Sequence, residues 1–267
     1  MTDVCIAGIN GRMGRTVAVE ALKTGFNIVG AVESPGSEVV GKTLAEAGIM
    51  DSPVKISPPE DIALACGSAD VYISFTSPKA EMMNLPLVSG SGIPIVMGTT
   101  GLTGEEMNSI AESIREKVPA VIASNFAVGV NMLYRLVREC GNFPQGYDFS
   151  IVENHHTGKK DSPSGTAKTL GDIISEVRGY SQKVHGRNGF SPRRTDELEI
   201  VSVRTGGVPG IHEVIVSGSD EMIRIEHISF SRSVFAKGAL YCADWICRQE
   251  RPGVYDMEDV LNNRFDA

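Results

Sequence analysis

Short apolar runs alternate with segments of helical spacing along the first half of the chain. Strands are predicted where apolar or β-branched runs occur, at residues 4–7, 27–32, 70–75, 93–97 and 121–123. Helices are predicted at residues 12–23 and 103–117, and Thr103 with Glu106 has the spacing of a capping box. This alternation predicts a parallel sheet that is covered by helices on both faces.

The second half follows a different pattern. Strands are predicted from alternating apolar and polar residues, at residues 149–153, 197–204, 213–217 and 222–230. Helical spacing occurs at residues 128–140, at 166–177 and again after residue 231. Tight turns between the strands favour an antiparallel or mixed sheet. The chain is therefore predicted to be an α/β protein, with a Rossmann-type doubly wound parallel sheet domain at residues 1–126 and 232–267 and an α+β domain at residues 127–231.

A glycine-rich turn joins the first predicted strand to the first predicted helix. It reads Gly8-Ile9-Asn10-Gly11-Arg12-Met13-Gly14. Glycines at this spacing permit a tight turn, let the backbone approach a pyrophosphate, and let helix and strand pack closely, while the helix N-terminus offers N–H groups to phosphate. Glu33 ends the second strand 19 residues after Gly14, where a carboxylate can bind the adenosine ribose. This context favours dinucleotide binding over a purely structural turn.

The same region bears on the choice between NADH and NADPH. The carboxylate of Glu33 should repel a 2′-phosphate, and the next residue is Ser34 rather than an arginine. Arg12 and Lys42 are cations that could compensate. The sequence favours NADH without deciding between the two cofactors.

Two later loops also follow strands of the predicted parallel sheet. They are Gly98-Thr99-Thr100-Gly101 and Ser124-Asn125-Phe126. Ligands of such sheets bind beyond the carboxyl ends of the strands, and small polar residues suit a nicotinamide ribose. Phe126 is expected to stack near the nicotinamide ring. Ordinary turn chemistry is the alternative interpretation of each loop.

The segment from residue 153 to 166 concentrates positive charge. Its basic or titratable side chains are His155, His156, Lys159 and Lys160. Ser164 is placed to cap a helix, and the N–H groups of Gly165 and Thr166, with the Thr166 hydroxyl, are predicted to bind an anion. Histidine titrates near neutral pH, so the segment suits the proton transfer that accompanies reduction of an anionic substrate. A solvated surface loop is the alternative.

Composition limits the classes to which these features can belong. The 267 residues include 25 basic and 33 acidic side chains, and the net charge of −8 argues against nucleic-acid binding. We expect no membrane segment and no signal peptide, and the five scattered cysteines favour reduced thiols in the cytoplasm. No third ligand accompanies the His-His pair at suitable spacing, so no metal is predicted. The acidic total does not exclude an anionic substrate, because the basic segment sets the local potential.

Several motifs, taken together, resemble those of one known family. They are GRMGR at residues 11–15, GTTG at 98–101, NFAVGVN at 125–131, HH at 155–156, PSGT at 163–166, SRSVFAKGA at 231–239 and GVYDMEDVL at 253–261. In this order, across essentially the whole chain, they resemble the dihydrodipicolinate reductase family. The HH to PSGT segment is highly specific, whereas the glycine-rich turn is not.

The resemblance implies an oxidoreductase that reduces 4-hydroxy-tetrahydrodipicolinate with NADH or NADPH to tetrahydrodipicolinate and water, in the diaminopimelate route to lysine. It implies that His155 is the proton donor or acceptor and Lys159 the proton donor. Substrate-binding residues would be His156, Lys160, Ser164, Gly165 and Thr166. Cofactor-binding residues would be Gly8, Ile9, Asn10, Gly11, Arg12, Met13, Glu33, Gly98, Thr99, Thr100, Ala123, Ser124, Asn125 and Phe126. A cytoplasmic homotetramer, assembled through the sheet of the second domain, is also implied.

Two departures from the family pattern leave questions open. Ser34 stands where an arginine is common, which bears on NADPH use. Thr157-Gly158-Lys159-Lys160 stands where many relatives carry Arg-His-Lys-Val, so Lys160 competes with Lys159 for the proton-donor role. Two other functions share the same two-domain plan: a dehydrogenase for a different substrate, and a sensor that binds the dinucleotide without turnover.

Overall fold

A computed structural model describes residues 1–262, which form twelve strands and eight helices. The strands are β1 (Asp3–Ala7), β2 (Asn27–Val32), β3 (Ile56–Ser57), β4 (Val71–Ser74), β5 (Ile95–Met97), β6 (Pro119–Ile122), β7 (Asp148–His155), β8 (Gln182–Val184), β9 (Glu197–Arg204), β10 (Gly210–Ser217), β11 (Met222–Ser229) and β12 (Gly253–Tyr255). The helices are α1 (Arg12–Lys23), α2 (Ile62–Ala65), α3 (Pro78–Gly90), α4 (Gly104–Ile114), α5 (Val128–Glu139), α6 (Gly165–Arg178), α7 (Ser233–Ile246) and α8 (Met257–Asn262).

The chain divides into two compact units. The first contains Met1–Phe126 and the segment from Ser233 onward, and the second contains Ala127–Arg232. The division differs by one residue from the predicted domains, because the prediction assigns residue 232 to the first of them. Residues 263–267 of that predicted domain lie outside the described residues.

The first unit is built on a seven-stranded parallel sheet in the order β12-β6-β5-β4-β1-β2-β3. Successive side chains of a strand point to opposite faces. Val4 and Ile6 accordingly pack in a core with α1 and α7, while Cys5 and Ala7 pack in a second core with α3 and α4. Apolar residues buried on both faces explain why β1 is a continuous apolar run. The predicted Rossmann-type parallel sheet is confirmed.

The C-terminal segment completes this unit. Strand β12 pairs in parallel with β6, and α7 packs against α1. Gly238 permits a close approach, because a Cβ there would lie 1.8 Å from the carbonyl oxygen of Phe126, at the end of the loop after β6. Any residue larger than glycine at position 238 would therefore displace that loop.

The second unit is a five-stranded mixed sheet in the order β11-β10-β7-β9-β8. Strand β7 runs antiparallel to β10 and parallel to β9, so the sheet is mixed, one of the two forms that were predicted. Residues from β7, β9 and β10 form one core with α5 and α6. The carboxyl end of β7 therefore lies between β9 and β10.

Local sequence determines several helix boundaries. The Thr103 side chain accepts a hydrogen bond from the Glu106 N–H, and the Glu106 side chain completes the predicted capping box of α4. Ser164 caps α6 as predicted. Helix α3 was not predicted, and it contains Pro86, a residue that ordinarily interrupts helical patterns. Among residues 1–262, no helix has the length and apolar character needed to cross a membrane.

Candidate active site

The turn between β1 and α1 is closed by its glycines. Gly8 has a φ of +72°, and a Cβ there would lie 2.4 Å from the Phe75 carbonyl oxygen. A Cβ on Gly14 would lie 2.1 Å from the Gly8 carbonyl oxygen, so Gly14 lets α1 approach the turn. Gly11, the N-cap of α1, provides no side-chain hydrogen bond to the helix. The helix N-terminus is thus bordered by glycines and can take an anionic group.

A cavity of about 570 Å³ adjoins this turn, and Gly8, Gly11, Glu33, Phe75 and Lys79 are among its lining residues. The Glu33 carboxylate accepts hydrogen bonds from the backbone N–H of Asn10, at 2.9 Å, and from that of Ser34, at 2.8 Å. These bonds hold the carboxylate at the end of β2, next to the glycine-rich turn. The residues present therefore fit a dinucleotide whose pyrophosphate lies at the turn and whose adenosine ribose lies at Glu33.

The loops after β4, β5 and β6 contain the other predicted cofactor residues. Thr99 accepts a hydrogen bond from the Thr76 N–H at 2.8 Å, which joins the loops after β4 and β5. A Cβ on Gly98 would lie 2.2 Å from the ring of Phe75, so the absence of a side chain makes room for that ring. The remaining predicted residues lie at the same edge of the sheet: Ile9, Asn10, Arg12 and Met13 after β1, Thr100 after β5, and Ala123, Ser124 and Asn125 after β6.

The expected stacking role of Phe126 does not match the structure. Its side chain is only 1% exposed and belongs to the core. Its ring contacts Phe75 edge-on, with 5.9 Å between the centroids. Phe75 is the aromatic residue that lines the cavity. The sequence shows only that Phe126 follows a buried strand. That position alone does not indicate whether the ring faces the core or the cofactor cavity.

In the second unit, strand register brings together a buried acid, a histidine and an arginine. His155 lies opposite Arg204 on β9, and Glu153 lies opposite His212 on β10. His155 Nδ1 is hydrogen-bonded to Oε2 of Glu153. The Arg204 guanidinium binds both carboxylate oxygens of Glu153, at 3.0 and 2.9 Å. We call these three residues, Glu153, His155 and Arg204, the buried triad.

The N-terminus of α6 adjoins the buried triad. The Ser164 backbone N–H donates to Glu153 at 3.2 Å, and the Ser164 hydroxyl oxygen accepts from the Ala167 N–H at 3.2 Å. The same hydroxyl lies 3.1 Å from His212 Nε2. A Cβ on Gly165 would meet no atom within 4 Å, so there is open space where α6 begins. An anion can approach this helix end without steric hindrance.

The two lysines of the loop differ in their surroundings. Lys159 is half-buried and forms an ion pair with Asp161 at 2.9 Å, while Lys160 is exposed. The Asp161 carbonyl oxygen accepts a hydrogen bond from Arg204 at 2.6 Å, which ties the loop to the buried triad. His156 donates its backbone N–H to Val208 at 2.8 Å. Lys159 is thus linked to the buried triad through Asp161, whereas Lys160 is exposed.

Burial lowers the pKa of two histidines at this site, His155 and His212. It lowers the pKa of His155, an effect that the hydrogen bond from His155 to Glu153 opposes and the charge of Lys159 reinforces. Burial, with a smaller contribution from His155, lowers the pKa of His212 to about 3. Burial alone would raise the pKa of Glu153, but hydrogen bonds led by that of Arg204 outweigh it and lower the pKa. At neutral pH the buried triad therefore contains an ionised acid and a neutral imidazole.

Glu153, His155 and His212 each offer a possible metal ligand atom, and these atoms lie within 4.8 Å of one another. The sequence did not indicate a third ligand because His212 comes from β10. Both oxygens of Glu153 are already bound by the Arg204 guanidinium. A cation at the same oxygens would be opposed by that charge, so this geometry is better suited to orienting an imidazole than to holding a metal.

Comparison with known proteins shows the family of the chain. The family model "Dihydrodipicolinate reductase, N-terminus" matches residues 2–126, and "Dihydrodipicolinate reductase, C-terminus" matches residues 129–261. The chain belongs to the dihydrodipicolinate reductase family. The 4-hydroxy-tetrahydrodipicolinate reductase of Methanosarcina acetivorans is 42% identical over 266 residues, which cover 98% of this chain and 99% of that protein. The enzyme of the same name from Methanopyrus kandleri is 39% identical, over 98% of this chain and 97% of that one.

Solved structures support the fold of this family member. A dihydrodipicolinate reductase from Paenisporosarcina sp. TG-14, with dipicolinate bound, matches with a TM-score of 0.74 and 22% identity over 96% of this chain and 97% of that one. An amine dehydrogenase from Mycobacterium smegmatis matches with a TM-score of 0.66 and 13% identity over 97% and 95% of the two chains. Both matches cover nearly the whole chain, and they show its fold.

Sequence reasoning missed Phe75 beside the predicted cofactor residues of the first unit. In the second unit it missed Glu153, Asp161, Arg204 and His212, which lie around the predicted catalytic and substrate residues. Glu153 precedes His155 by two residues, so on a strand both side chains lie on one face, and that spacing could have indicated a pair. No pattern near Glu153 in the sequence could have indicated its partners Arg204 on β9 and His212 on β10.

Proposed function

We propose that this chain reduces 4-hydroxy-tetrahydrodipicolinate to tetrahydrodipicolinate and water, with NADH or NADPH as the reductant. The observation that carries the proposal is the buried triad beside the open N-terminus of α6, in a member of this family. The reaction consumes one reduced nicotinamide and one proton, and releases the oxidised nicotinamide and water. A bound reduced nicotinamide supplies the hydride, and the remaining tasks fall to side chains of the protein.

Substrate binding is assigned to the segment that follows β7. The open space at Gly165 and the positive end of α6 suit a substrate carboxylate. We assign the neighbouring contacts to His156, Lys160, Ser164 and Thr166. Support for Ser164 comes from its bonds to both α6 and the buried triad, which fix the helix end relative to His155.

Proton transfer is assigned to His155 and Lys159. The ionised Glu153 carboxylate accepts a hydrogen bond from Nδ1–H of His155, so the neutral ring has its lone pair at Nε2. That nitrogen can accept a proton and return it. Lys159 is the second proton donor, because its charge acts on both His155 and His212 and because Asp161 holds it in place.

The cofactor is assigned to the cavity of the first unit, and NADH is favoured over NADPH. Glu33 places a negative charge where a 2′-phosphate would lie, and Ser34 adds no positive charge. Lys79 lines the same cavity and is the cation there that could lessen the repulsion. A strong preference for NADPH in steady-state kinetics would overturn this assignment.

One assay separates the proposal from its alternatives. The protein is mixed with NADH and freshly generated 4-hydroxy-tetrahydrodipicolinate, and loss of the reduced-nicotinamide absorbance is followed. We expect oxidation of one NADH for each substrate molecule. Binding of NADH without oxidation would indicate a sensor, and oxidation only with a different carbonyl or imine substrate would indicate another dehydrogenase.

We further propose a cytoplasmic homotetramer that acts in the diaminopimelate route to lysine and binds no nucleic acid. Support for a reducing compartment comes from five free cysteines, of which only Cys247 is exposed. Support for assembly through the second sheet comes from apolar side chains exposed on β11, including Met222, Ile223 and Ile228. Light scattering after size exclusion tests the assembly, and a monomeric mass would contradict it.

A further inference from the structure

A buried carboxylate, Glu81, lies beneath the loops that follow β4 and β5. Its side chain is fully buried, and its Oε1 accepts hydrogen bonds from the hydroxyls of Ser74, Thr76 and Thr99, the second at 2.6 Å. Its Oε2 has no hydrogen-bond partner. None of the ion pairs among residues 1–262 includes Glu81. A carboxylate buried in this way requires an explanation, because its desolvation is costly without a compensating cation.

The surroundings of Glu81 supply its carboxylate with hydrogen-bond donors. The three hydroxyls each donate a hydrogen bond to the carboxylate, and Glu81 lies in the first turn of α3, near the positive end of that helix. The buried hydroxyl of Tyr72 feels this charge. Burial first, and then the charge of Glu81, raises the pKa of Tyr72 well above its usual value. The charge of Glu81 therefore acts on a neighbouring buried group of the first unit.

The position of that charge follows from the order of the strands. The glycine-rich turn follows β1, and Glu33 directly follows β2, which is the neighbour of β1 on one side. In the proposed function the pyrophosphate and the adenosine ribose occupy these two places. The remainder of the dinucleotide must then extend over β4 and β5, on the other side of β1. Thr76 and Thr99, both bonded to Glu81, lie at the ends of those two strands.

We propose that the Glu81 carboxylate stabilises the oxidised nicotinamide relative to the reduced one and so promotes hydride transfer, an inference that rests on the proposed function. The reduced ring is neutral. When it gives up a hydride, with two electrons, to the substrate, the ring becomes a cation. A fixed negative charge nearby favours the cation, while Glu81 itself exchanges no proton or atom. The three hydroxyls orient the carboxylate and keep water away from it.

Binding measurements without substrate test this inference. Glu81→Gln removes the charge and keeps the shape of the side chain. We expect the Kd for NAD⁺ to rise about tenfold, the Kd for NADH to change less than about twofold, and the Kd for ADP-ribose, which lacks the ring, to stay as in the wild type. Calorimetry gives all three constants, and a lower kcat should accompany them.

Two further variants control for packing. Tyr72→Phe removes a buried hydroxyl next to the same group and should leave the ratio of the NAD⁺ and NADH constants unchanged. Glu81→Asp keeps the charge and should preserve most of that ratio. If Glu81→Gln does not fold, Glu81→Met provides the neutral side chain for the same comparison.

The results distinguish this inference from the proposed function. If a folded Glu81→Gln protein bound NAD⁺, NADH and ADP-ribose more weakly by the same factor, Glu81 would have only a structural role. That result would overturn the inference. An unchanged ratio of the Kd values for NAD⁺ and NADH would also overturn the inference. If the wild-type protein binds none of the three nucleotides, it is the proposed function that fails.

Discussion

At the scale of single residues, Glu153 determines what His155 can do. Its ionised carboxylate accepts a hydrogen bond from Nδ1–H of His155 and is itself held by Arg204. Glu153→Gln places an amide among these donors, so the imidazole loses its fixed orientation. We expect kcat to fall about 100-fold, with the Kd for NADH unchanged because the cofactor cavity lies in the other unit. Steady-state kinetics and NADH binding measure the two effects.

Glu197→Gln is the matched control for that variant. Glu197 is also buried, lies in the same sheet and is paired with an arginine, Arg187, at 2.8 Å. The Glu197→Gln protein should retain the kcat of the wild type. Glu153 also raises the pKa of His155, so Glu153→Gln should move the pH dependence that reports His155 to lower pH. Equal loss of kcat in both variants would show that only the stability of the sheet is involved.

The two loop lysines make a second pair for comparison at this scale. Lys159→Ala removes the cation that is paired with Asp161 and acts on His155. It should lower kcat about 100-fold, with little change in substrate binding. Lys160→Ala removes an exposed charge and should mainly raise the KM for substrate. Loss of turnover in Lys160→Ala but not in Lys159→Ala would reverse the assignment.

At the scale of elements, the contact between α1 and the glycine-rich turn depends on one missing side chain. Gly14→Ala would bring a Cβ to 2.1 Å from the Gly8 carbonyl oxygen, so either α1 or the turn must move. We expect the Kd for NADH to rise about tenfold or more. In Gly104→Ala, at the start of α4, the new Cβ meets nothing within 4 Å, and NADH binding should be unchanged.

The sequence predicted those parts of the site that depend on local order along the chain. The turn with Gly8 and the Ser164 cap each lie within a few residues of the element that they begin. The buried triad could not be predicted, because it depends on pairing across the sheet. Arg204 follows Glu153 by 51 residues, and only the parallel register of β7 and β9 brings them together. Glu81 was missed for a similar reason, since Thr99 lies 18 residues away on another loop.

At the scale of the whole molecule, titratable histidine is confined to one unit. All five histidines lie within residues 127–232, and the only tryptophan, Trp245, lies in the other unit. Burial lowers the pKa of three of these histidines: His155, His212 and His227. Their neutral forms are favoured in the folded state, so the unfolded chain binds more protons below about pH 6.5. Acid should therefore destabilise the second unit selectively.

This asymmetry predicts how the unfolding free energy changes with pH. The stabilising contribution is complete above pH 6.5 and is lost as the pH falls toward the folded pKa, which is about 3 for His212. For His212 alone the loss between pH 6.5 and 5 is about 2 kcal/mol. Ordinary carboxylates titrate below this window. Urea unfolding followed by circular dichroism at the two pH values should show the loss, and His212→Gln should reduce it.

Two comparisons make the prediction specific to the buried ring. His185→Gln removes an exposed histidine of the same unit and should leave the pH dependence as it is. The fluorescence of Trp245 reports the unit without histidines, and its transition should move much less between pH 6.5 and 5. If the Trp245 transition moved as far as the dichroism transition, the acid sensitivity would not arise from the histidines of one unit, and the assignment to His212 would be wrong.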